Sequence, residues 1–529
     1  MDEYYLRENV QVEPLFDRWY AWSYLIPPAT AARNITERHI KIMDSYVNAP
    51  QVHANAVKNP KLLGGPFIDY GGKRTDEIKA LKEQTLAKRS DLCNLSRALN
   101  DLDGMLLARA KGYSLEPLYP AIPEILRGYV ELGYDLNNQP SFRLVEPLIY
   151  RSKYYDKSAQ SLMLSLTQQD DRPFVLSTPR LDPGEGVHLE VPFDNSVVND
   201  LFRLKTHAKS WNEILHLLAE AGCRNDVRIK SFFTTQRPEP YQRYDGAGVR
   251  WRYFGHACIL VETRGMSILF DPVVSYSYPA NLRRYTYADL PQTIDYVVIT
   301  HNHQDHLLFE TLLQIRNKVK HVVVPRNSGG TLQDPSMKLL LDNTGFQSVI
   351  ELGEFQQVNT EVGSILGLPF FGEHADLNVQ SKLAYLVRIG KHNLLFAADS
   401  CNVEPFLYKH VHAAVGNADA IFLGMECDGA PLSWLYGPLM TRKVERSMDE
   451  SRRLAGSHFE QAHDIVQRFG CREVYVYAMG QEPWLNYVMS IKYTTESRPI
   501  TESNRLVNEC RARGIQAERL FGEKEILCH

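Results

Sequence analysis

The chain has 529 residues, a length that suggests roughly three domains, give or take one, and with 44% hydrophobic and 23% charged residues it has the composition of a globular protein. Its net charge of −4 argues against a nucleic-acid partner, and no apolar run is long enough to span a membrane. The eight scattered cysteines and the acidic amino terminus favour a cytoplasmic protein with reduced thiols over an exported one with disulfides.

Residues 1–223 predict an amino-terminal domain of mixed α/β structure. Leucines at alternating spacings of three and four indicate one apolar helix face: Leu92, Leu95, Leu99, Leu102 and Leu106. Short strands are predicted over 174–176 and 188–191, and a helix over 196–220. The histidines of this half are isolated, and nothing in it has the spacing of a catalytic motif.

Residues 224–247 are polar and contain Pro238 and Pro240, which is typical of a linker. From 248 to 529 the pattern changes to many short strands, predicted over 249–253, 257–262, 267–270, 296–300, 321–325, 348–352, 364–368, 384–389, 393–397, 420–425 and 473–478. Helices are predicted around 306–318, 453–469 and 502–513. This order indicates an α+β fold in which two sheets pack face to face, with helices outside.

The richest chemical motif is Thr-His-Asn-His-Gln-Asp-His at 300–306, which follows the apolar segment 296–299. His301 and His303 are two residues apart, so they project the same way from extended backbone. Asp305 and His306 come after the turn and can reach a neighbouring position. Two metal ions roughly 3.5–4 Å apart fit this pattern.

Two later segments could complete such a site. Asp399 ends a buried strand, where a carboxylate is costly unless it is paired or bound to metal, and its two oxygens could bridge two metals. Glu373 and His374 compete for one position, because neighbours in extended chain point in opposite directions. An inward His374 would give three imidazoles, which suits zinc hydrolysis, whereas an inward Glu373 would give the two-histidine, one-carboxylate set of iron oxygenases.

The His-x-His-x-Asp-His motif, Gly255-His256, Asp271-Pro272 and Asp399 together resemble the metallo-β-lactamase fold over about residues 246–529. The size of the amino-terminal half, the segment 371–374 and the segment 479–484 extend the likeness to the whole chain. They resemble the dinuclear non-haem iron β-hydroxylases of nonribosomal peptide pathways, such as that of chloramphenicol. The resemblance implies a carboxy-terminal αββα sandwich with a mixed α/β amino-terminal domain.

The resemblance also implies a ligand set, in which the glutamate of the Glu-His pair binds metal. His301, His303 and Glu373 would hold one iron, Asp305 and His306 the other, and Asp399 would bridge them. Glu373 and Asp399 would thereby be catalytic. Dizinc hydrolases of the fold usually supply a further histidine after a late core strand, whereas the matching strand here, 473–478, is followed by Gly480-Gln481-Glu482 with no histidine.

The implied reaction is an O2-dependent β-hydroxylation of an aminoacyl thioester on a carrier domain of a nonribosomal peptide synthetase. Two electrons per turnover would come from an external partner, and the amino-terminal half would recognise the carrier or form a homodimer. The alternative is a dizinc hydrolase of the same fold that cleaves an ester, lactone or phosphodiester.

Several nearby residues have two interpretations each. His256 either orients a ligand or is a core residue, and Asp271 either supports a ligand or forms a turn. Three aromatic residues either wall an aminoacyl pocket or belong to the core: Trp434, Tyr436 and Trp484. Glu482 is a further candidate for contact with the metals.

Overall fold

The computed structural model describes residues 2–182, 184, 186–223 and 227–528. In these residues the amino-terminal half has nine strands: β1 (Glu3–Leu6), β2 (Val10–Phe16), β3 (Trp19–Tyr20), β4 (Val130–Tyr134), β5 (Pro140–Leu144), β6 (Gln160–Leu166), β7 (Val187–Leu189), β8 (Lys209–Ser210) and β9 (Phe233–Thr234). They pair in three small sheets, with the orders β8-β1-β9, β3-β2-β6-β7 and β4-β5.

The helices of this half surround the small sheets. They are α1 (Pro28–Asn34), α2 (Ile40–Asn48), α3 (Pro50–Ala56), α4 (Thr75–Lys88), α5 (Ser90–Arg109), α6 (Glu146–Tyr150), α7 (Ser196–Arg203) and α8 (Trp211–Glu220). A π-helical turn, Ile35–His39, joins α1 to α2. The predicted leucine face lies on α5, where its leucines are buried, so that prediction is confirmed.

The carboxy-terminal half contains two seven-stranded sheets. The first has the order β15-β14-β13-β12-β11-β10-β23 and the second the order β16-β17-β18-β19-β20-β21-β22. Their strands are β10 (Val249–Gly255), β11 (Cys258–Glu262), β12 (Ser267–Phe270), β13 (Ile294–Val298), β14 (Val319–Pro325), β15 (Val349–Leu352), β16 (Gln357–Thr360), β17 (Gly363–Leu368), β18 (Ala384–Ile389), β19 (His392–Ala398), β20 (Ala420–Gly424), β21 (Glu473–Tyr477), β22 (Gln516–Arg519) and β23 (Lys524–Cys528).

Helices cover the outer faces of the two sheets. They are α9 (Phe309–Ile315), α10 (Met337–Asn343), α11 (Phe406–Val415), α12 (Leu432–Tyr436), α13 (Arg446–Ser451), α14 (Phe459–Phe469), α15 (Asn486–Met489) and α16 (Arg498–Ala512). Short 3-10 helices occur at Pro60–Leu62, Glu116–Ala121, Glu124–Leu126, Lys157–Ala159, Val227–Phe232, Tyr287–Asp289, Arg316–Lys318, Gly437–Leu439 and Pro483–Leu485. Among the helices described, none combines the length and the apolar character needed to cross a membrane.

Three apolar clusters hold these layers together. Aromatic side chains fill the space between the two sheets, where Phe270 of β12 stacks on Phe396 of β19 with ring centroids 3.9 Å apart. A second cluster packs α11, α14 and α16 on the second sheet. The third joins the outer face of the first sheet to the amino-terminal half, so the two halves share one core. The expected α+β fold with an αββα sandwich is confirmed.

The structure corrects two predicted elements. The strand over 174–176 is wrong, because Val175 makes a single backbone hydrogen bond to Tyr487 (2.9 Å) instead of a ladder. The helix over 196–220 is two helices, because Lys209 and Ser210 pair with β1 as strand β8. Ser210 then starts α8 through a capping box with Glu213, and this reciprocal capping favours a new helix over continuation of α7.

The polar segment 224–247, which the sequence predicts as a linker, includes a 3-10 helix and strand β9. Residues 224–226 lie outside the described part of the chain. Residues 227–232 form a 3-10 helix, and β9 pairs with β1, where Phe233 lies opposite Leu6. The eleven strands predicted between 249 and 478 are all present, while β16, β22 and β23 had no strong alternating pattern. The division at 223 and 248 stays a prediction.

Candidate metal centre

The chemical residues come together at one edge of the sandwich, where strands of both sheets end. Asp271 directly follows β12, and His301 lies three residues beyond β13 in the same sheet. Asp399 directly follows β19 of the second sheet, and Glu373 lies in the loop after β17. The parallel strands β12–β13 and β19–β20 direct their carboxyl ends to this edge, which is why distant segments converge here.

The structure places all six predicted metal ligands in one cluster. His306 Nε2 lies 2.8 Å from Asp399 Oδ2, and His301 Nε2 lies 3.8 Å from the same oxygen. Asp305 Oδ2 is 3.7 Å from His306 Nε2. On the other side, His303 Nδ1 is 2.9 Å from Glu373 Oε1. Three overlapping groups of three thus form here, each with ligand atoms within 4.8 Å of one another: His301, His303 and Glu373; His301, His306 and Asp399; and His256, Asp305 and His306.

Hydrogen bonding within the protein leaves this cluster incomplete. His301 Nε2, His306 Nε2 and Asp399 Oδ1 are buried and have no hydrogen-bond partner. Each unsatisfied buried polar atom costs about 1–3 kcal/mol, so three at one point indicate that an additional group completes them. Imidazole nitrogens and carboxylate oxygens are the donor set that iron prefers, and they fit a pair of metal ions.

Electrostatics support the same interpretation. Burial, reinforced by the charges of Asp399 and Asp305, raises the pKa of Glu373 well above its usual range, because three carboxylates share one small space. Burial lowers the pKa of His301, and it lowers that of His303 to about 4, so both imidazoles are neutral. Neutral imidazoles and ionised carboxylates are the forms that bind metal, and bound cations would relieve the repulsion among the carboxylates.

Glu373 and His374 take different positions. The backbone of Glu373 is left-handed, with φ of 69°, and its carboxylate meets His303. His374 instead directs Nδ1 to the hydroxyl of Tyr436 at 2.6 Å. It belongs to none of the groups of three that could hold a metal ion. In this geometry the backbone turn at Gly372-Glu373 directs the Glu373 carboxylate, and not the His374 ring, into the group with His301 and His303.

Two residues with dual interpretations contact the cluster directly. Asp271 Oδ2 accepts a hydrogen bond from His306 Nδ1 (2.8 Å), which directs Nε2 of that ring into the cluster. The backbone N–H of Gly480 donates to His256 Nδ1 (3.2 Å), so Nε2 carries the proton that is donated to Asp305 Oδ2 (2.9 Å). Both residues therefore orient predicted ligands, as outer partners of metal sites do.

The backbone around the cluster is strained. Positive φ values occur at five non-glycine residues of this edge: His256, Asp271, Glu373, Ala398 and Ala478. Each such conformation costs on the order of 1–3 kcal/mol and persists where the surrounding structure imposes it, typically at functional sites. Gly424 is equally constrained, because a Cβ there would lie 2.1 Å from Asp399 Oδ1.

A cavity of about 460 Å³ connects this cluster to the surface. Its inner wall includes His303, Asp305, Glu373 and Asp399, and its mouth carries three exposed cations: Arg453, Lys492 and Arg498. Trp434 lines the cavity, as expected of a pocket wall.

The other residues proposed for a pocket wall or for metal contact have separate partners. Tyr436 bonds to the histidines behind the cavity, and Trp484 packs under Arg284, with the guanidinium carbon 4.3 Å from the ring centroid. Glu482 accepts a hydrogen bond from Tyr253.

Sequence reasoning missed most of the cavity wall, including the polar residues Gln304, Glu426 and Tyr493. A signal for Glu426 was available, because it lies two residues beyond the end of β20, the strand beside the one that ends at Asp399. No comparable signal exists for Tyr493, which lies in an irregular segment.

The two packed sheets and the imidazole–carboxylate cluster at their edge define a metallo-β-lactamase-fold protein with a site for two metals. Residues 266–434 match the family described as a beta-lactamase superfamily domain, and residues 5–238 match the diiron non-heme beta-hydroxylase N-terminal domain. The chain is 40% identical over 528 residues to the 4-amino-L-phenylalanyl-[CmlP-peptidyl-carrier-protein] 3-hydroxylase of Streptomyces venezuelae, covering 98% of each chain. It therefore belongs to the family of diiron non-haem β-hydroxylases.

Solved structures agree over the full length. The crystal structure of CmlA, a diiron beta-hydroxylase from Streptomyces venezuelae, superposes with a TM-score of 0.93 at 40% identity and covers 100% of both chains. A variant of the CmlA hydroxylase with one Glu-to-Asp substitution gives a TM-score of 0.91 over 99% of this chain and 100% of that one. The expected family, enzyme class and diiron cofactor are confirmed, and the dizinc alternative is set aside.

Proposed function

We propose that this enzyme uses O2 to hydroxylate the β-carbon of an amino acid carried as a thioester on a nonribosomal peptide synthetase carrier domain. The relative from Streptomyces venezuelae, similar over the whole chain, is named for 3-hydroxylation of an aminoacyl group on a peptidyl carrier protein. The observation that carries the proposal here is the position of Glu373. Its carboxylate joins His301 and His303, which gives the two-histidine, one-carboxylate set of iron oxygenases.

We further propose that His301, His303 and Glu373 hold one iron, that Asp305 and His306 hold the other, and that Asp399 bridges the two. The unpartnered atoms of His301, His306 and Asp399 support this set. When bound, the iron pair supplies the reduction of O2 that puts one oxygen atom on the substrate.

Tyr436 fixes the protonation of one ligand. Burial and the charge of nearby groups raise the pKa of Tyr436 well above its usual range, so its hydroxyl keeps its proton. Burial lowers the pKa of His374, whose neutral Nδ1 accepts that proton in a 2.6 Å hydrogen bond. His303 Nε2, 3.2 Å away, then donates to the tyrosine oxygen. Nδ1 of His303 is left unprotonated beside Glu373, as a metal ligand must be.

The mouth of the cavity suits a tethered substrate. A carrier domain presents its aminoacyl group on a phosphopantetheine arm, which begins at a phosphodiester. Arg453, Lys492 and Arg498 are exposed at the mouth, where they would attract that phosphate and other acidic groups of the carrier. The arm would enter there, with its thioester end directed to Glu373 and Asp399.

We also propose an electron-transfer partner, a role for the amino-terminal half and a cellular location. Two electrons per turnover come from an external partner protein, because the sequence has no flavin or nicotinamide motif. The amino-terminal half recognises the carrier domain or joins two copies in a homodimer, and the enzyme acts in the cytoplasm.

The direct test is turnover with a loaded carrier. The iron-containing enzyme is incubated with a panel of aminoacyl carrier domains, reductant and O2, and each carrier is weighed by mass spectrometry. We expect one carrier to gain the mass of one oxygen atom, and to gain none when O2 is omitted. Release of the amino acid from every carrier, without oxygen gain, would instead identify a thioester hydrolase.

A further inference from the structure

The cavity contains a carboxylate that the metal cluster does not use. Glu426 follows β20, two residues after Gly424, the glycine that abuts Asp399. The hydroxyl of Tyr493 donates to Glu426 Oε1 at 2.8 Å. Its other oxygen, Oε2, lies beside Gly429, where a Cβ would approach it to 3.0 Å. The carboxylate is thus fixed in orientation at the inner wall of the cavity.

Carboxylates have the largest electrostatic effects on Glu426, although Arg453, Lys492 and Arg498 line the same cavity. Burial raises the pKa of Glu426 to about 7, and the charges of Asp428 and Asp399 raise it further, whereas the hydrogen bond from Tyr493 lowers it. The charged groups with the largest effects are thus both carboxylates. A cation placed in the cavity would stabilise the ionised form, so the wall is complementary to a positive group.

A second acceptor lines the same cavity. Gln304 is 5% exposed, and its amide oxygen Oε1 is buried without a hydrogen-bond partner. This orphan oxygen is independent of the carboxylate at Glu426, because it belongs to the loop after β13. An ammonium group has three N–H donors and no acceptor, so its chemistry matches both of these acceptor groups.

We propose that Glu426 and Gln304 bind the α-ammonium group of the aminoacyl substrate. The inference rests on the proposed function, which brings a free aminoacyl group into this cavity. The β-carbon is bonded to the same α-carbon as the ammonium group. Anchoring that group therefore limits the positions of the β-carbon relative to Glu373 and Asp399. Every carrier-bound amino acid has this ammonium group, so the subsite selects aminoacyl over desamino acyl groups and leaves side-chain selection to other walls.

The test compares ligands that differ only in the ammonium group. L-Aminoacyl pantetheine amides with aromatic, aliphatic and polar side chains are titrated against the iron-containing enzyme by calorimetry, beside their desamino counterparts. For the best ligand we expect a preference of at least about 30-fold for the ammonium form, the effect of truncating one partner of a buried charge pair. Glu426→Gln should reduce that preference to about 3-fold or less.

Two variants control for charge and for folding. Glu445→Gln removes an exposed carboxylate outside the cavity and should keep the preference within about 3-fold of wild type. Tyr493→Phe keeps the Glu426 carboxylate but removes its hydrogen bond, and should weaken the preference by about 3- to 10-fold. It therefore tests the site even if Glu426→Gln fails to fold.

Other outcomes overturn the proposal. Equal binding of the paired ligands by the wild type, no binding of any ligand, or a preference that survives in both Glu426→Gln and Tyr493→Phe would each reject the ammonium site. The titration needs no turnover, so a strong preference without oxygen gain on any carrier would reject the proposed hydroxylation while the ammonium site stands.

Discussion

Two of the buried charge clusters in the described part of the chain differ in how their charges are balanced. Where the amino-terminal half meets the sandwich, Arg172 bonds to Glu13 and to Glu310 (2.9 Å), while Arg180 bonds to Glu13 (3.1 Å). Each carboxylate there faces an arginine. At the metal centre three carboxylates share one space with the imidazoles, and three ligand atoms have no hydrogen-bond partner. Burial lowers the pKa values of His301 and His303, whereas the carboxylates, against the effect of burial, raise the pKa of His306. Charges that the protein itself neutralises hold the two halves together, whereas unbalanced ones predict a bound cation.

Removing one carboxylate of the metal centre should have the largest effect and tests whether the unbalanced charges there bind iron. Glu373→Ala deletes the only carboxylate in the group with His301 and His303, so iron retention and hydroxylation should both fall below detection. The matched control is His374→Ala at the next residue, which should retain most of the iron because that ring bonds to Tyr436 instead. Iron analysis of the two purified variants makes the measurement, and the reverse pattern would show that the ligand choice is wrong.

At the paired cluster, the same kind of deletion should affect folding instead. Glu310→Ala leaves Arg172 with one fewer buried partner and should lower the free energy of unfolding by about 3–5 kcal/mol, while iron per folded chain stays unchanged. Glu354→Ala, on the surface, should change it by less than about 0.5 kcal/mol. Urea unfolding measures both. A Glu310→Ala protein that keeps its free energy of unfolding but loses its iron would contradict the assignment of Glu310 to folding and not to iron binding.

A smaller effect is expected from the residue that orients His306. Asp271→Asn exchanges an acceptor oxygen for an amide and should weaken iron binding about 10- to 100-fold. Asp295→Asn on β13 is the control, because Asp295 also accepts a backbone N–H (Ser267, 2.9 Å) but lies outside the cluster. Competition with an iron chelator gives both affinities, and equal values for the two variants would assign Asp271 to the fold alone.

The smallest effect is expected at the exposed mouth. Replacing Arg453, Lys492 and Arg498 together by glutamine should raise KM for the loaded carrier by about 3- to 30-fold at low salt and leave kcat unchanged. The control is Lys391→Gln at the exposed turn between β18 and β19. Steady-state kinetics at two salt concentrations measure KM and kcat. If the triple substitution changes KM no more than Lys391→Gln does, the carrier binds elsewhere.

The sequence alone predicted that His301, His303, Asp305 and His306 lie together, but it left open their supporting residues and the choice between Glu373 and His374. The short spacing from His301 to His306 follows one strand end, so its geometry could be inferred without tertiary contacts. Asp271 and His256 depend on contacts across 35 and 49 residues, so their roles stayed open until the structure paired them with His306 and Asp305.

The errors have a similar origin. The segment 174–176 has a strand-like composition but finds no strand to pair with, and a pattern cannot show the absence of a neighbour. The apolar spacing of residues 196–220 continues across the break between α7 and α8. Lys209 and Ser210 in that break pair with β1, and a local pattern does not reveal this pairing. Local periodicity thus predicted element types well, whereas long-range pairing decided where elements end.

The most direct test of the unbalanced cluster is the metal content of the wild-type enzyme. Protein purified from iron-supplied cells is analysed for iron and zinc, then reduced and exposed to O2. Two irons per chain, and O2 uptake after reduction, are the expected result for the six-ligand cluster centred on Asp399. Stoichiometric zinc without iron, and no O2 uptake, would contradict it.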